Sequence, residues 1–211
     1  MKQMSSSKFL VDLDRVLVAD TSFIINLNAT TMAANILRAI PHRFVIAETA
    51  FQEVENGKRF GHDDAAMLRD LTDKDLIYRA DLGELGSNLF ERLVQGTASQ
   101  TLDDGEAATI ALAIEISGIA IIDERKARSI CSARYPSLEL VSSPELFVHE
   151  CIRKSLGSEA QSQAVFEALR GARMRVPTKL LDKVKEVIGS ARADQCHSLP
   201  KSARASSLSL S

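Results

Sequence analysis

Residues 102–123, LDDGEAATIALAIEISGIAIID, constrain the fold more than any other part of the chain. Ala107, Ile110, Ala111 and Ile114 recur at i, i+3, i+4 and i+7, which marks one face of an α-helix. Gly118 then ends the helix, since glycine tolerates the left-handed turn found there. The next four residues, IAII, are wholly apolar, and Asp123 closes the run. A strand without a polar face has to be covered on both sides, as interior strands of parallel sheets are.

Other segments repeat that alternation. Short β-type runs are expected at 15–19 (RVLVA), 44–46, 76–80 (LIYRA), 119–122 and 138–142. Helices are expected after Asp20-Thr21-Ser22, from a capping box of Thr49 and Gln52, over 63–71, over 83–95 and over 124–134, with another opened by Ser143-Pro144-Glu145. Strand and helix alternate to about Cys151, which predicts a parallel sheet flanked by helices. Two further helices are expected at 158–169 and 178–188, joined by the basic link GARMRVP. From Ser190 onward the chain is Ser-rich and lacks apolar periodicity, which reads as a disordered tail. The expected division is an N-terminal extension (1–14), an α/β domain (15–156), a C-terminal helical extension (157–190) and the tail (191–211).

At 211 residues, 45% hydrophobic and 26% charged, the chain has the composition of a globular protein. Trp is absent, so the core rests on Ile, Leu, Val and Ala. Three widely spaced cysteines, Cys131, Cys151 and Cys196, fit neither a disulfide framework nor a zinc ribbon, and read as idle thiols in a reducing compartment. Residues 1–8 lack the apolar core of a signal peptide, and the longest apolar stretch is too interrupted for a membrane span. A cytoplasmic location without membrane attachment is the expectation. The formal charge of −2 is unevenly spread: residues 1–123 hold 11 basic and 19 acidic side chains, residues 124–192 hold 13 and 8. Such a split suits metal ions in one part and a polyanion in another, although solvated surfaces give the same pattern.

The acids stand at informative places. Asp20 and Asp123 each follow a predicted strand, Asp104 and Glu106 start a helix, and Glu53 sits in the helix after the second strand. Open α/β sheets bind ligands beyond the carboxyl ends of their strands. Carboxylates gathered there repel one another unless a dication is shared, and Mg²⁺ and Mn²⁺ prefer carboxylate oxygen and water. An acid-only dication site suits phosphodiester hydrolysis. Each acid also has a plain role: Asp20 and Asp104 as helix caps, Glu106 as a partner of the helix dipole, Asp123 as the start of the next helix. Arg125, Lys126 and Arg128 follow the last acid and are candidates for gripping a phosphate backbone, or a solvated helix face.

Together VLVADTSFIINL, the Glu of VIAETAFQEV, LDDGEAATIALA and IAIIDERKAR resemble the PIN domain family, over about residues 16–151. The last two segments look most like its prokaryotic toxin-like subgroup. The resemblance implies a three-layer α/β/α sandwich around a parallel sheet and a Mg²⁺- or Mn²⁺-dependent endoribonuclease. It assigns Asp20, Glu53, Glu106 and Asp123 as the acids, with Asp20, Glu106 and Asp123 on the metal. It gives Thr21 and Ser22 the holding of a water or phosphate. It implies RNA as substrate, a small antitoxin as partner and a homodimer. Asp104 rivals Glu106, and Glu124 rivals Asp123. The helices after Ser158 lie outside the resemblance. The rival readings are a non-catalytic PIN-like module binding RNA or a protein, a nucleotide-binding fold, which lacks its glycine-rich loop here, and a phosphoreceiver, which lacks its acidic pair.

Overall fold

The computed structural model describes residues 14–57, 63–98 and 100–204. The first 13 residues of the expected N-terminal extension and the last seven of the expected tail lie outside them. The described chain forms two compact units. One comprises residues 41–141 with the chain up to Thr21, and the other 22–40 with 142 onward.

The first unit is built on five parallel strands in the order β3-β2-β1-β4-β5: β1 Leu17–Ala19, β2 Phe44–Ala47, β3 Tyr78–Ala80, β4 Ile119–Ile121 and β5 Leu140–Val141. The apolar runs predicted these strands; four are shorter in the structure, and β2 runs one residue past the expected 44–46. β1 and β4 are buried throughout, as a run with no polar face requires, and they lie side by side.

Five helices accompany the sheet: α3 Glu48–Asn56, α4 Asp64–Asp73, α5 Glu84–Val94, α6 Asp104–Glu115 and α7 Arg125–Arg134. Helix α6 packs on β1, β2 and β4 and on α3 and α5. It is buried on every side from Ala107 to Ala113, rather than along the single face its periodicity suggests, and Ile114 is only half-buried. Four alanines and Thr109 make that possible, because small side chains let sheet and neighbouring helices approach closely. The Thr109 hydroxyl donates to the Ala19 carbonyl at 3.3 Å, fixing α6 against the end of β1. At its far end Glu115 accepts the backbone N–H groups of Gly83 and Gly86, so α6 also caps α5.

Helix starts differ in detail from the sequence expectations. Thr49 and Gln52 form no capping box. The helix begins at Glu48, and Gln52 donates to Glu48 instead. The cap of α6 is Asp103, not Asp104, and the cap of α7 is Glu124. A tandem of cap-forming residues leaves the register open in sequence, and backbone geometry decides it.

The second unit is all helical. It holds most of α1 (Thr21–Ala29), α2 Ala33–Ala39, α8 Ser143–Phe147, α9 Glu150–Leu156, α10 Ser158–Gly171, a 3₁₀ turn Thr178–Leu180, α11 Leu181–Ile188, α12 Ser190–Ala193 and α13 Lys201–Arg204. Phe23 of α1 meets Phe147 of α8 with ring centroids 6.1 Å apart, and α2 packs on α9. Helices from before and after the sheet thus share one core. The boundary expected at 156/157 is absent from this division. The stretch expected as a disordered tail carries α12 and α13 within its described part, with Ala193, Cys196 and Leu199 buried. Those three recur every third residue, a short apolar stripe masked by the serines around it. Arg192 ties α12 to α10 through Ser162, Glu159 and Gln163.

All three cysteines are free thiols. Burial pushes the Cys131 thiol up to about 11. Among the described residues no helix is long and apolar enough to cross a membrane.

Candidate active site

The two edges of the sheet are electrically unlike. Before the strands begin, Arg15 donates to the carbonyls of Ser117 and Gly118 and pairs with Glu139 at 2.6 Å, so charge there is balanced. Beyond the strand ends, acids gather.

Register brings two of them together. Ala19 pairs with Ile121, so Asp20 leaves β1 level with Ile122, and Asp123 leaves β4 one residue further on. Neighbouring strands run about 4.8 Å apart. The two acids therefore leave the sheet at the same edge, on adjacent strands and one residue out of step. Asp20 is buried and Asp123 half-buried. Arg128 donates to the Ile122 carbonyl at 2.8 Å, which fixes the backbone from which Asp123 springs.

A second group forms where α6 begins. Thr21 donates its hydroxyl to Glu53 Oε2 at 2.7 Å, joining the residue after Asp20 to α3. That carboxylate lies over Gly105, where a Cβ would overlap Glu53 Oε2 and stand 3.0 Å from Thr21 Oγ1. Glycine in the first turn of a helix is otherwise unfavourable by about 1 kcal/mol relative to alanine. Its value here is the space it leaves. Gly105 is not among the residues expected from sequence, yet a glycine between two acids at a helix start is a signal of such space.

Glu106 completes the picture. Burial, and then the nearby charges of Asp103 and Glu124, push its carboxyl up to about 7, with Lys126 opposing in part. By contrast Glu48, just past β2, is held below its ordinary value by its hydrogen bonds to Arg79 and Gln52. Acidity at this edge is thus compensated at β2 and under-compensated at α6.

These placements bear on the rival acids. Asp104 is exposed at the first position of α6, and it is Asp103 whose Oδ1 accepts the Glu106 N–H at 2.9 Å. Glu124 is committed to capping α7, accepting the N–H groups of Lys126 and Ala127. Of the basic candidates, Arg125 is exposed, whereas Lys126 donates to the Ala98 carbonyl at 2.7 Å and Arg128 is turned to the strand end. Ser22 belongs to the helical unit. Carboxylate oxygens are hard donors of the kind that divalent cations prefer. Among the described residues no three His, Cys, Asp or Glu side chains form a ready-made metal cluster. The acids are neighbours along an edge rather than a closed cage.

No curated protein and no solved structure matches the chain. A family model described as DUF3368, a PIN domain, matches residues 16–190. The match runs past Cys151 and takes in α10 and α11, so these helices belong to the family's domain rather than standing outside it. PIN domains are nuclease-type folds that generally use divalent metal ions, and the central parallel sheet flanked by helices is that α/β/α architecture. The chain belongs to the DUF3368 family of PIN domains.

Proposed function

We propose that the chain is a Mg²⁺- or Mn²⁺-dependent endoribonuclease acting at the acidic end of its sheet. The observation that carries this reading is that Asp20 and Asp123 leave the sheet at the same edge, on adjacent parallel strands, next to the start of α6. Asp20, Asp123 and Glu106 would hold the cation. A dication bound there would supply an activated water and neutralise charge on the scissile phosphate.

The chain's own residues do the rest. Thr21 holds the Glu53 carboxylate over Gly105, where it can orient a water toward the phosphodiester. Asp103 caps α6 and so fixes the backbone of Glu106. Arg128 steadies the backbone before Asp123. Arg125, exposed on the first turn of α7, is positioned for backbone phosphate. Thr21 and Ser22 remain candidates for substrate contact, although the Thr21 hydroxyl is already engaged with Glu53.

The biological setting we propose is the toxin of a toxin–antitoxin pair in the cytoplasm, bound by a small antitoxin protein and forming a homodimer. Support for that setting is the toxin-like form of LDDGEAATIALA and IAIIDERKAR.

Purified protein incubated with structured and unstructured RNAs, with Mn²⁺ or with EDTA, tests the activity beside an Asp20→Asn control. Internal cleavage that needs Mn²⁺ and is lost in the folded variant is expected. Equal cleavage by the variant would refute the site. RNA binding without turnover under any metal condition would favour the non-catalytic module.

A further inference from the structure

We propose that Thr109 is a positioning residue that sets the spacing of Asp20 and Glu106, and thereby the size of cation they can share. This rests on those acids holding a dication.

All three residues belong to the sheet unit. From Ala107 to Ala113, where α6 is buried, Thr109 is the single polar side chain, and it is wholly shielded from solvent. A buried hydroxyl needs a partner. Threonine inside a helix commonly finds one a turn back, at the carbonyl four residues earlier. The Thr109 hydroxyl instead leaves its helix and donates to the Ala19 carbonyl, 90 residues away in sequence. Apolar packing alone gives no reason for that hydroxyl, because valine has nearly the same shape and is less costly to bury.

The bond joins the supports of two acids. Ala19 is the last residue of β1, level with Ile46 and Ile121. Its carbonyl shares one rigid peptide plane with the Asp20 nitrogen. Holding that carbonyl therefore fixes the direction in which Asp20 leaves the sheet. On the other side, Glu106 stands one turn before Thr109 on the same face of α6, about 4.5 Å along the axis. Asp103 secures the cap of this helix through the Glu106 N–H, and Thr109 fastens the next turn to the strand end. One hydrogen bond and one helical turn thus link the backbones of Asp20 and Glu106. A spacing held in this way discriminates by ion size. Mg²⁺ demands near-ideal octahedral geometry at about 2.0–2.1 Å, whereas Ca²⁺ accepts oxygens at about 2.3–2.6 Å in looser arrangements.

The test is calorimetric titration of Mg²⁺ and, separately, Ca²⁺ into the metal-stripped full chain at pH 8, beside thermal melting in EDTA. T109V keeps the shape and loses the bond, whereas T109S keeps the bond and loses a methyl group. T109V is expected to bind Mg²⁺ about tenfold more weakly, and Ca²⁺ less than about threefold more weakly. T109S should melt lower than the parent yet hold Mg²⁺ within about threefold of the parent affinity. Unchanged Mg²⁺ affinity in T109V would overturn the proposal, as would a T109S that loses as much as T109V. An equal loss for both cations would also overturn it, because Thr109 would then be a packing residue only. A parent that binds neither cation would remove the proposal together with the metal site. Mg²⁺ binding that depends on Thr109, without cleavage of any RNA, would keep the positioning role and remove the nuclease. Cleavage and Mg²⁺ affinity untouched by T109V would do the reverse.

Discussion

Glu106 and Glu145 occupy the same local position and meet opposite fates. Each is the third residue of its helix, in DDGE for α6 and SSPE for α8, and burial raises the carboxyl pKa of both. At Glu145 the raising effect is more than offset. Lys179 pairs with it at 2.7 Å, and it accepts both the N–H and the hydroxyl of Ser142, so it is held below its ordinary 4.5. This is a capping box, a closed structural device. At Glu106 the cap residue is Asp103, itself acidic, and Glu124 adds a second like charge. Both side chains of a capping box accept backbone N–H groups, so an acidic cap does not forbid the box but sets two like charges against each other. The same helix position is a self-sufficient joint in one unit and a carboxyl among like charges in the other.

On that contrast, changes at the start of α6 alter chemistry and changes at the start of α8 alter stability. The largest effect is expected beside α6, where Asp123→Asn should slow Mn²⁺-dependent RNA cleavage by about 10²–10³-fold with an unchanged circular dichroism spectrum. Gly105→Val comes next. It would displace Glu53 and break its bond to Thr21, so the cleavage rate should fall by roughly 10- to 100-fold, matching Glu53→Gln. A Gly105→Val enzyme of full activity would show that Glu53 has no part in catalysis.

Two stability measurements sharpen the comparison through opposite signs. Glu106 binds its proton more tightly folded than unfolded, so the native state is penalised as pH rises from 4.5 to about 7, and fully above that. In EDTA, Glu106→Gln should therefore raise stability at pH 8 by about 1–2 kcal/mol, discounted for partial exposure, and change it little at pH 4. Glu145 behaves inversely. Its contribution is present above 4.5 and is lost as pH falls through its lowered folded value. Glu145→Gln should cost about 1 kcal/mol at pH 8, read from the urea midpoint, and less as the solution is acidified. Two variants with the same pH trend would erase the distinction.

Much of the first unit was legible because single segments specify it. The apolar runs before Asp20 and Asp123 could only be buried strands, and their ends put both acids on one edge. Pairings between distant segments were not legible. Nothing in FIINL announces Phe147 as the partner of Phe23, and α2, lying between α1 and β2, was not expected. The DDGE stretch held the same ambiguity at finer scale: two aspartates in a row could each cap α6, and only the bond from the Glu106 N–H chose Asp103. The cap role of Glu124 likewise depends on where the chain turns after Asp123. Side-chain room, as at Gly105, emerges only once α3 and α6 are packed together.

The claim beneath all of this is that the acids beyond β1 and β4 hold a divalent cation. Calorimetric titration of Mn²⁺ into the metal-stripped protein at pH 8 tests it directly. The account predicts saturable binding that is lost or sharply weakened in both Asp20→Asn and Asp123→Asn. Undiminished binding in those variants, or none in the parent protein, would contradict it.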